Sequence, residues 1–300
     1  MKISIASANL AAIDAGSPVP PQQLPAGWDT EFRFFADRDL PPRAEVISPR
    51  LQSKLPKMCG FEWFKDADLI GWLDCAYTVT TPGLAAWLVE QLGDADICLM
   101  RHPDRTSVSE EIAFMAQRMQ QGDDYLISRY AGEPMAEQVQ SYLSDPGFHD
   151  GWLAAAGCFV YRNTPTVRAA MKDWLIECIR WSSQDQLSLP YVLQRHGIEP
   201  RWMDASIWQS PHLRYDGHRA TAGSGSPAPS AGSRSVSRRR CRSCSTSKPA
   251  PPISSGSTTP STCAIRRRPF PGSSQRPQRG SVAACASVGR SLTAGRGFAS

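Results

Sequence analysis

Apolar residues follow two rhythms over the first 216 positions: short dense runs suited to buried strands, and longer stretches with helical spacing. Residues 2–8 alternate apolar and small side chains and predict a first strand, followed by a loop at Asn9. Residues 15–28 are rich in Pro and Gly and predict irregular chain. An aromatic run over 31–36 predicts a second strand that ends at Asp37. Arg50, Lys54 and Lys57 punctuate a short basic helix that leads into residues 61–64. Residues 68–79 are almost continuously apolar, as a buried parallel strand would be, with Asp74 inside the run. A turn at Thr81-Pro82-Gly83 opens a helix through Leu92, with Thr81 as its cap. Residues 96–100 predict another strand. Ile112, Met115 and Met119 give residues 107–121 helical spacing, and Ser107 with Glu110 has a capping-box pattern.

Further helices are expected over 135–143, from Thr164-Pro165 to about Trp181, and over 184–195 before Gly197. Strands are expected at 157–161 and 201–203. Strands alternating with helices predict an α/β domain with a mainly parallel sheet, here residues 1–216.

The pattern stops after Asp216, and charge changes with it. Fourteen of the 33 Lys and Arg fall between Gly217 and Ser300, and none of the 28 Asp and Glu do. The first 216 residues therefore carry 19 basic against 28 acidic side chains, a net charge of −9. Residues 217–300 are rich in Ser, Arg, Pro, Ala and Gly, with Phe270 and Phe298 as the only aromatics, so a disordered basic tail is expected. Three origins stay open for it: a translation of the wrong reading frame, a genuine flexible tail, or a nucleic-acid arm built on Arg238-Arg239-Arg240 and Arg266-Arg267-Arg268. No specific nucleic-acid partner is expected.

No apolar run approaches the ~20 residues that span a bilayer, and the first ten residues lack the long apolar region of a signal peptide. A cytoplasmic protein without a transmembrane segment is the expectation. Cys59, Cys75, Cys98, Cys158 and Cys178 lie mostly in apolar segments and are expected as buried free thiols. Cys241-Arg-Ser-Cys244 lacks the second ligand pair of a zinc site.

Asp74 is the most informative residue, because a lone acid in an apolar run is costly to bury unpaired. It belongs at the carboxyl end of its strand, either holding a divalent metal against phosphates or capping a turn. His102-Pro103-Asp104-Arg105, with Glu110 and Glu111 behind, suits phosphate or sugar recognition, or is a solvated loop before a helix. Arg50, Lys54 and Lys57 either embrace a diphosphate or line an exposed helix face. Asp185 and Gln186 open a helix, where a side chain either faces a cleft or serves the helix start. His212, after the last strand, is a surface residue or a metal ligand. His149 and His196 read as structural.

These segments in this order resemble a glycosyltransferase-like family long filed as a domain of unknown function, with bacterial members and plant members implicated in pectin and mucilage synthesis. The matching stretches run from Lys2 to Asn9 and through Phe34-Phe35-Ala36-Asp37, Arg50…Lys54…Lys57, Gly71-Trp72-Leu73-Asp74, Arg101 to Arg105 with Glu110-Glu111, Tyr130-Ala131-Gly132, residues 157–163, Trp174 and Gln184 to Tyr191. The resemblance spans most of residues 1–212 and none of the tail.

It implies a GT-A-like, Rossmann-type nucleotide-sugar-binding fold, a nucleotide-sugar donor and a glycan acceptor. It puts Asp37, Arg50, Lys54, Lys57, His102 and Arg105 on the donor and its phosphates, and Glu110 and Glu111 toward the acceptor. Asp185 and Gln186 resemble a catalytic Asp-Gln pair near the acceptor sugar. Asp74, where the sequence reads Asp74-Cys75-Ala76 instead of a strict DxD, takes the place of the acid that holds Mn²⁺ or Mg²⁺, and His212 the place of a late metal ligand. The activity implied is hexosyl-type transfer in polysaccharide biosynthesis. Two alternatives remain: a truncated or impaired sugar-nucleotide-binding module, and an amide hydrolase resembling a plant relative described as an alkaline ceramidase. Neither HExxH nor GxSxG is present for the second.

Overall fold

The structure is a computed structural model that describes residues 1–12 and 18–217. Expectations for the basic tail beyond Gly217 lie outside the described residues.

Eight strands and seven α-helices are described: β1 (Lys2–Ala8), β2 (Asp29–Phe35), α1 (Pro49–Met58), β3 (Leu69–Leu73), β4 (Tyr77–Val79), α2 (Leu84–Leu92), β5 (Ile97–Arg101), α3 (Val108–Gln120), α4 (Asp124–Tyr130), α5 (Met135–Leu143), β6 (Ala154–Arg162), α6 (Pro165–Arg180), α7 (Asp185–Arg195), β7 (Arg201–Trp202) and β8 (Leu213–Tyr215). Six strands form one sheet in the order β2-β1-β3-β6-β5-β7. The β1–β2, β1–β3 and β5–β7 pairs are parallel, and β6 runs antiparallel to both β3 and β5. The expected mixed α/β fold with a mostly parallel sheet is therefore present. No described helix is long and apolar enough to cross a membrane.

Local chemistry starts the helices where expected. Ser48 Oγ accepts the Leu51 N–H at 3.0 Å, with Pro49 in the first turn of α1. Thr164 and Pro165 do the same for α6, and Ser107 Oγ accepts the Glu110 N–H for α3. The Glu110 carboxylate also accepts the Thr106 N–H at 2.6 Å.

Two expectations change. The apolar run over 68–79 is two strands in two sheets, because the chain leaves the main sheet after Leu73, turns through Asp74, and pairs β4 with β8. Thr81 does not cap α2, whose cap position is Gly83; its hydroxyl meets His212 Nδ1 at 2.5 Å.

One face of the sheet packs α1, α6 and α7 around Phe35, Phe159, Tyr161 and Trp174. The other packs α2 and the β4–β8 ribbon around Ile5, Leu88, Val160 and Leu213. A smaller cluster joins α3, α4 and α5 to Leu187 of α7. Strand β6 changes parity midway: Ala154 and Ala156 share a core with Phe159 and Tyr161, whereas strict alternation would separate them. The pairing with β5 shows the cause, since Leu99 opposes Phe159 while its neighbour Met100 opposes Ala155. Residues 156–158 form a bulge, a device that re-aims backbone beside functional sites.

All five described cysteines are free thiols, four of them buried and Cys75 half-buried. Burial pushes the Cys98 and Cys59 thiols up, to about 12 and about 11, so neither is a reactive thiolate at neutral pH.

Candidate functional site

A cavity of about 510 Å³ opens where β1, β3 and β5 end and β6 begins. The carboxyl edge of a parallel sheet is where α/β proteins place ligands. Its wall carries six Lys or Arg (Arg50, Lys54, Lys57, Arg105, Arg118, Arg129) and four Asp or Glu (Asp74, Glu111, Asp123, Asp185). The surplus of two positive charges favours an anionic ligand, although the body as a whole is acidic.

At the floor, α1 meets the start of α7. Lys54 and Lys57 stand one turn apart on the same helix face. Both bond the same carboxylate oxygen, Asp185 Oδ2, at 2.6 and 2.7 Å. Their side chains are 8 % and 4 % exposed and that of Asp185 6 %, so this is a buried cluster and not a solvated helix face. Burial opposes ionisation of Asp185, but Lys54 and Lys57 outweigh it and hold the carboxyl below its ordinary value. Burial likewise works to lower Lys57, and Asp185 and Asp74 overcome it and raise the group. Asp185 is fixed from behind: its carbonyl accepts the Trp174 indole N–H at 2.9 Å and the Ser188 hydroxyl at 3.2 Å.

These directions give a pH dependence. A carboxyl depressed in the folded state contributes stability that is complete above its unfolded value, ordinarily 3.8, and is lost as pH falls toward the folded value of about 2. The urea midpoint of the wild type is therefore expected to fall between those limits. An Asp185→Asn variant should lose most of that acid dependence; an unchanged acid limb would show that other carboxyls control it.

Asp74 follows β3 directly, and its N–H bonds the Gly157 carbonyl in the β6 bulge at 2.7 Å. Its Oδ1 accepts the Trp72 indole N–H at 2.6 Å and lies 3.5 Å from Lys57 Nζ. Trp72 and Asp74, two residues apart, share a side of the strand. Gly157 is required by proximity: a Cβ there would stand 2.9 Å from Tyr77 Cε2 and 3.1 Å from Asp74 Oδ2. Gly157→Ala is expected to cost about 1–3 kcal/mol by overpacking and to turn Asp74 from its place. Chemical denaturation together with a crystal structure of the variant checks both.

The rim is made of arginines and rings. Arg50 lies over Tyr130 at 4.7 Å, Arg129 over Tyr125 at 3.8 Å and Arg105 over Phe114 at 4.1 Å. Burial lowers Arg50, and Arg129 nearby adds to this. Arg105 pairs closely with the buried Glu111, whose other oxygen accepts from Gln184 Nε2 at 3.2 Å. Gln184 also accepts from the Tyr130 hydroxyl at 3.1 Å, and Gln186 Nε2 donates to the Ala154 carbonyl at 2.9 Å. His102 Nδ1 faces the backbone N–H groups of Asp104 and Arg105, and its Nε2 faces the Arg105 guanidinium at 2.9 Å. Burial and Arg105 lower its pKa.

Arg50, Lys54, Lys57, Asp74, His102, Arg105, Glu111, Asp185 and Gln186 thus share one wall. Three candidates are placed elsewhere. Asp37 pairs with Arg43 and accepts the Ala11 N–H at 2.8 Å. Glu110 is exposed and bound to Thr106. His212 is held by Thr81 and packs against Gly83 and Trp87, beside the β4–β8 ribbon. The wall is completed by residues given no site role in the sequence: Tyr77 and Arg129, and Trp72, Gly157, Gln184 and Tyr130, which stood only within the stretches that carry the resemblance.

The donor set does not fit a divalent metal. Asp74 Oδ1 already receives an indole N–H and a lysine, Asp185 is neutralised by two ammonium groups, and His212 is not in the wall. Among the described residues no group of three His, Cys, Asp or Glu is arranged to hold a metal.

Fold and cavity together define a mixed α/β protein with a basic cleft at the carboxyl edge of its sheet. No protein-family model and no curated protein matches the chain. Among solved structures it is similar to mouse xyloside xylosyltransferase 1 in its apo form, at 9 % identity and a TM-score of 0.37, over 66 % of this chain and 83 % of that one. A likeness at that level carries no argument about function, which has to come from the cavity.

Proposed function

We propose that this cavity binds a nucleoside-diphosphate sugar and transfers the sugar to a hydroxyl of a glycan acceptor. The observation that carries the reading is the buried Lys54–Asp185–Lys57 cluster, set in the floor of a net-positive cleft large enough for such a donor. The difficult step in that chemistry is departure of the diphosphate, which needs fixed positive charge where negative charge grows. Lys54 and Lys57 supply it at the floor, with Arg50 and Arg105 higher on the wall. Asp185 acts as a positioning residue that keeps both ammonium groups charged and aimed. Asp74 faces the cavity with a half-exposed side chain and has an oxygen to offer a sugar hydroxyl. Tyr125 and Phe114, exposed rings that each pack one arginine, give flat surfaces on which a sugar or base stacks.

The test is incubation of the chain with a panel of nucleotide sugars and glycan acceptors, reading nucleoside diphosphate released. Release with acceptor-dependent product supports the reading. Absence of both binding and release across the panel sinks it and leaves a module of another specificity. Nothing in the wall favours an amide hydrolase, since among the described residues no three His, Cys, Asp or Glu are arranged to hold a metal.

A further inference from the structure

We infer that the cation facing the departing diphosphate in this protein is the Lys54–Lys57 ammonium pair, clamped by one carboxylate, and that no divalent metal occupies that place. The inference rests on the transferase reading and adds the identity of the group that takes up the charge.

Three observations carry it. First, the two ammonium groups converge on one oxygen, Asp185 Oδ2, at 2.6 and 2.7 Å. Like charges held so close repel; Asp74 offsets part of this at the longer distance of 3.5 Å from Lys57, and an anion with several oxygens, as a diphosphate has, relieves it further. Second, donors remain for it. An ammonium group has three N–H donors; Lys54 directs one to Asp185, and Lys57 directs two, to Asp185 and Asp74. Third, Asp74 is occupied as a lysine and indole partner, so a dication at its carboxylate would stand beside the Lys57 ammonium, 3.5 Å from Oδ1.

The step balances without a further reactant. The bond from the sugar C1 to the diphosphate oxygen breaks, and its electron pair stays on that oxygen. The acceptor oxygen bonds C1 and its proton passes to the departing diphosphate. The hydrogen bonds from Lys54 and Lys57, whose side chains are 8 % and 4 % exposed, shorten as charge accumulates. Asp185 takes no part in bonding changes; it holds the pair charged through the cycle.

The experiment is calorimetric titration of the full chain with inorganic pyrophosphate, in EDTA and then in Mn²⁺. Binding in EDTA is expected, and Mn²⁺ should not tighten it by as much as about tenfold. Asp74→Asn separates the two chemistries by sign. It removes a negative charge facing the ligand, so it should tighten pyrophosphate in EDTA by about threefold to tenfold; loss of binding in that variant overturns the inference, because a metal ligand would behave so. Lys57→Met should weaken binding by about tenfold or more, with circular dichroism showing that it remains folded. Binding that requires Mn²⁺, or no binding in either buffer, also overturns it.

The two readings fail separately. A chain that releases nucleoside diphosphate from a nucleotide sugar only with Mn²⁺ keeps the transferase reading and loses this one. A chain that binds pyrophosphate in EDTA and consumes no nucleotide sugar keeps the lysine site for a diphosphate and loses the transferase.

Discussion

Asp185→Ala is expected to lower the unfolding free energy by about 3–5 kcal/mol, the range for removing one partner of a buried ion pair. The size follows from what is left behind. Lys54 and Lys57 are almost fully buried and share that carboxylate. Without it Lys54 has no carboxylate partner among the described residues, and Lys57 keeps Asp74 at 3.5 Å. Two ammonium groups would then repel each other in a medium that screens them poorly. A triple variant, Lys54→Met with Lys57→Met and Asp185→Leu, should recover most of the loss, since an apolar replacement of a whole buried cluster is often neutral. Urea titration of the single and triple variants checks both statements. A loss below about 1 kcal/mol in the single variant would mean the cluster is hydrated like a surface pair.

The same cluster shows what the sequence could and could not convey. Strands β1 and β5 are legible because an apolar run bounded by polar residues admits little else. The pairing of Lys54 with Asp185 is not, since they are 131 positions apart and lysines on a short helix read as an exposed face. Only the packing of α1 against α6, whose Trp174 bonds the Asp185 carbonyl, turns those side chains inward. The break after Leu73 was hidden for the opposite reason. Cys75, Ala76 and Tyr77 continue the apolar run, so nothing in hydropathy marks the change of sheet; the acid in its midst was the one local sign. The bulge in β6 left a glycine in a strand as its signal, and Gly157 is where β6 meets Asp74. Helix α4 has exposed Tyr125 and Ile127, which blur its amphipathic pattern, and β8 exists only as the partner of β4. His212 went the other way: a late histidine fits a ligand role by type, and the fold uses it to tie Thr81 and Gly83 to the ribbon.

Lys57→Met should reduce turnover by about 10²–10³-fold, the loss seen when a single donor to a developing charge is removed from a preorganised site. The substitution is chosen because it strands no charge. Asp185 keeps Lys54 at 2.6 Å, Asp74 keeps the Trp72 indole at 2.6 Å, and methionine fills much of the lysine stem. The folded state should therefore survive, unlike that of Asp185→Ala, and a kinetic defect can be read as chemistry. The division between kcat and KM carries the meaning. An ammonium group that binds ground state and transition state equally would raise KM and leave kcat intact, whereas one whose bonds strengthen as the diphosphate departs lowers kcat. Donors with better leaving groups should suffer less from the loss, because less charge then needs stabilising at the oxygen Lys57 faces. Steady-state kinetics on whichever nucleotide sugar the panel shows to be consumed decides between them. A raised KM at constant kcat would make the Lys54–Lys57 pair a recognition element, and the charge of the departing diphosphate would fall to the arginines above it, Arg50 and Arg105.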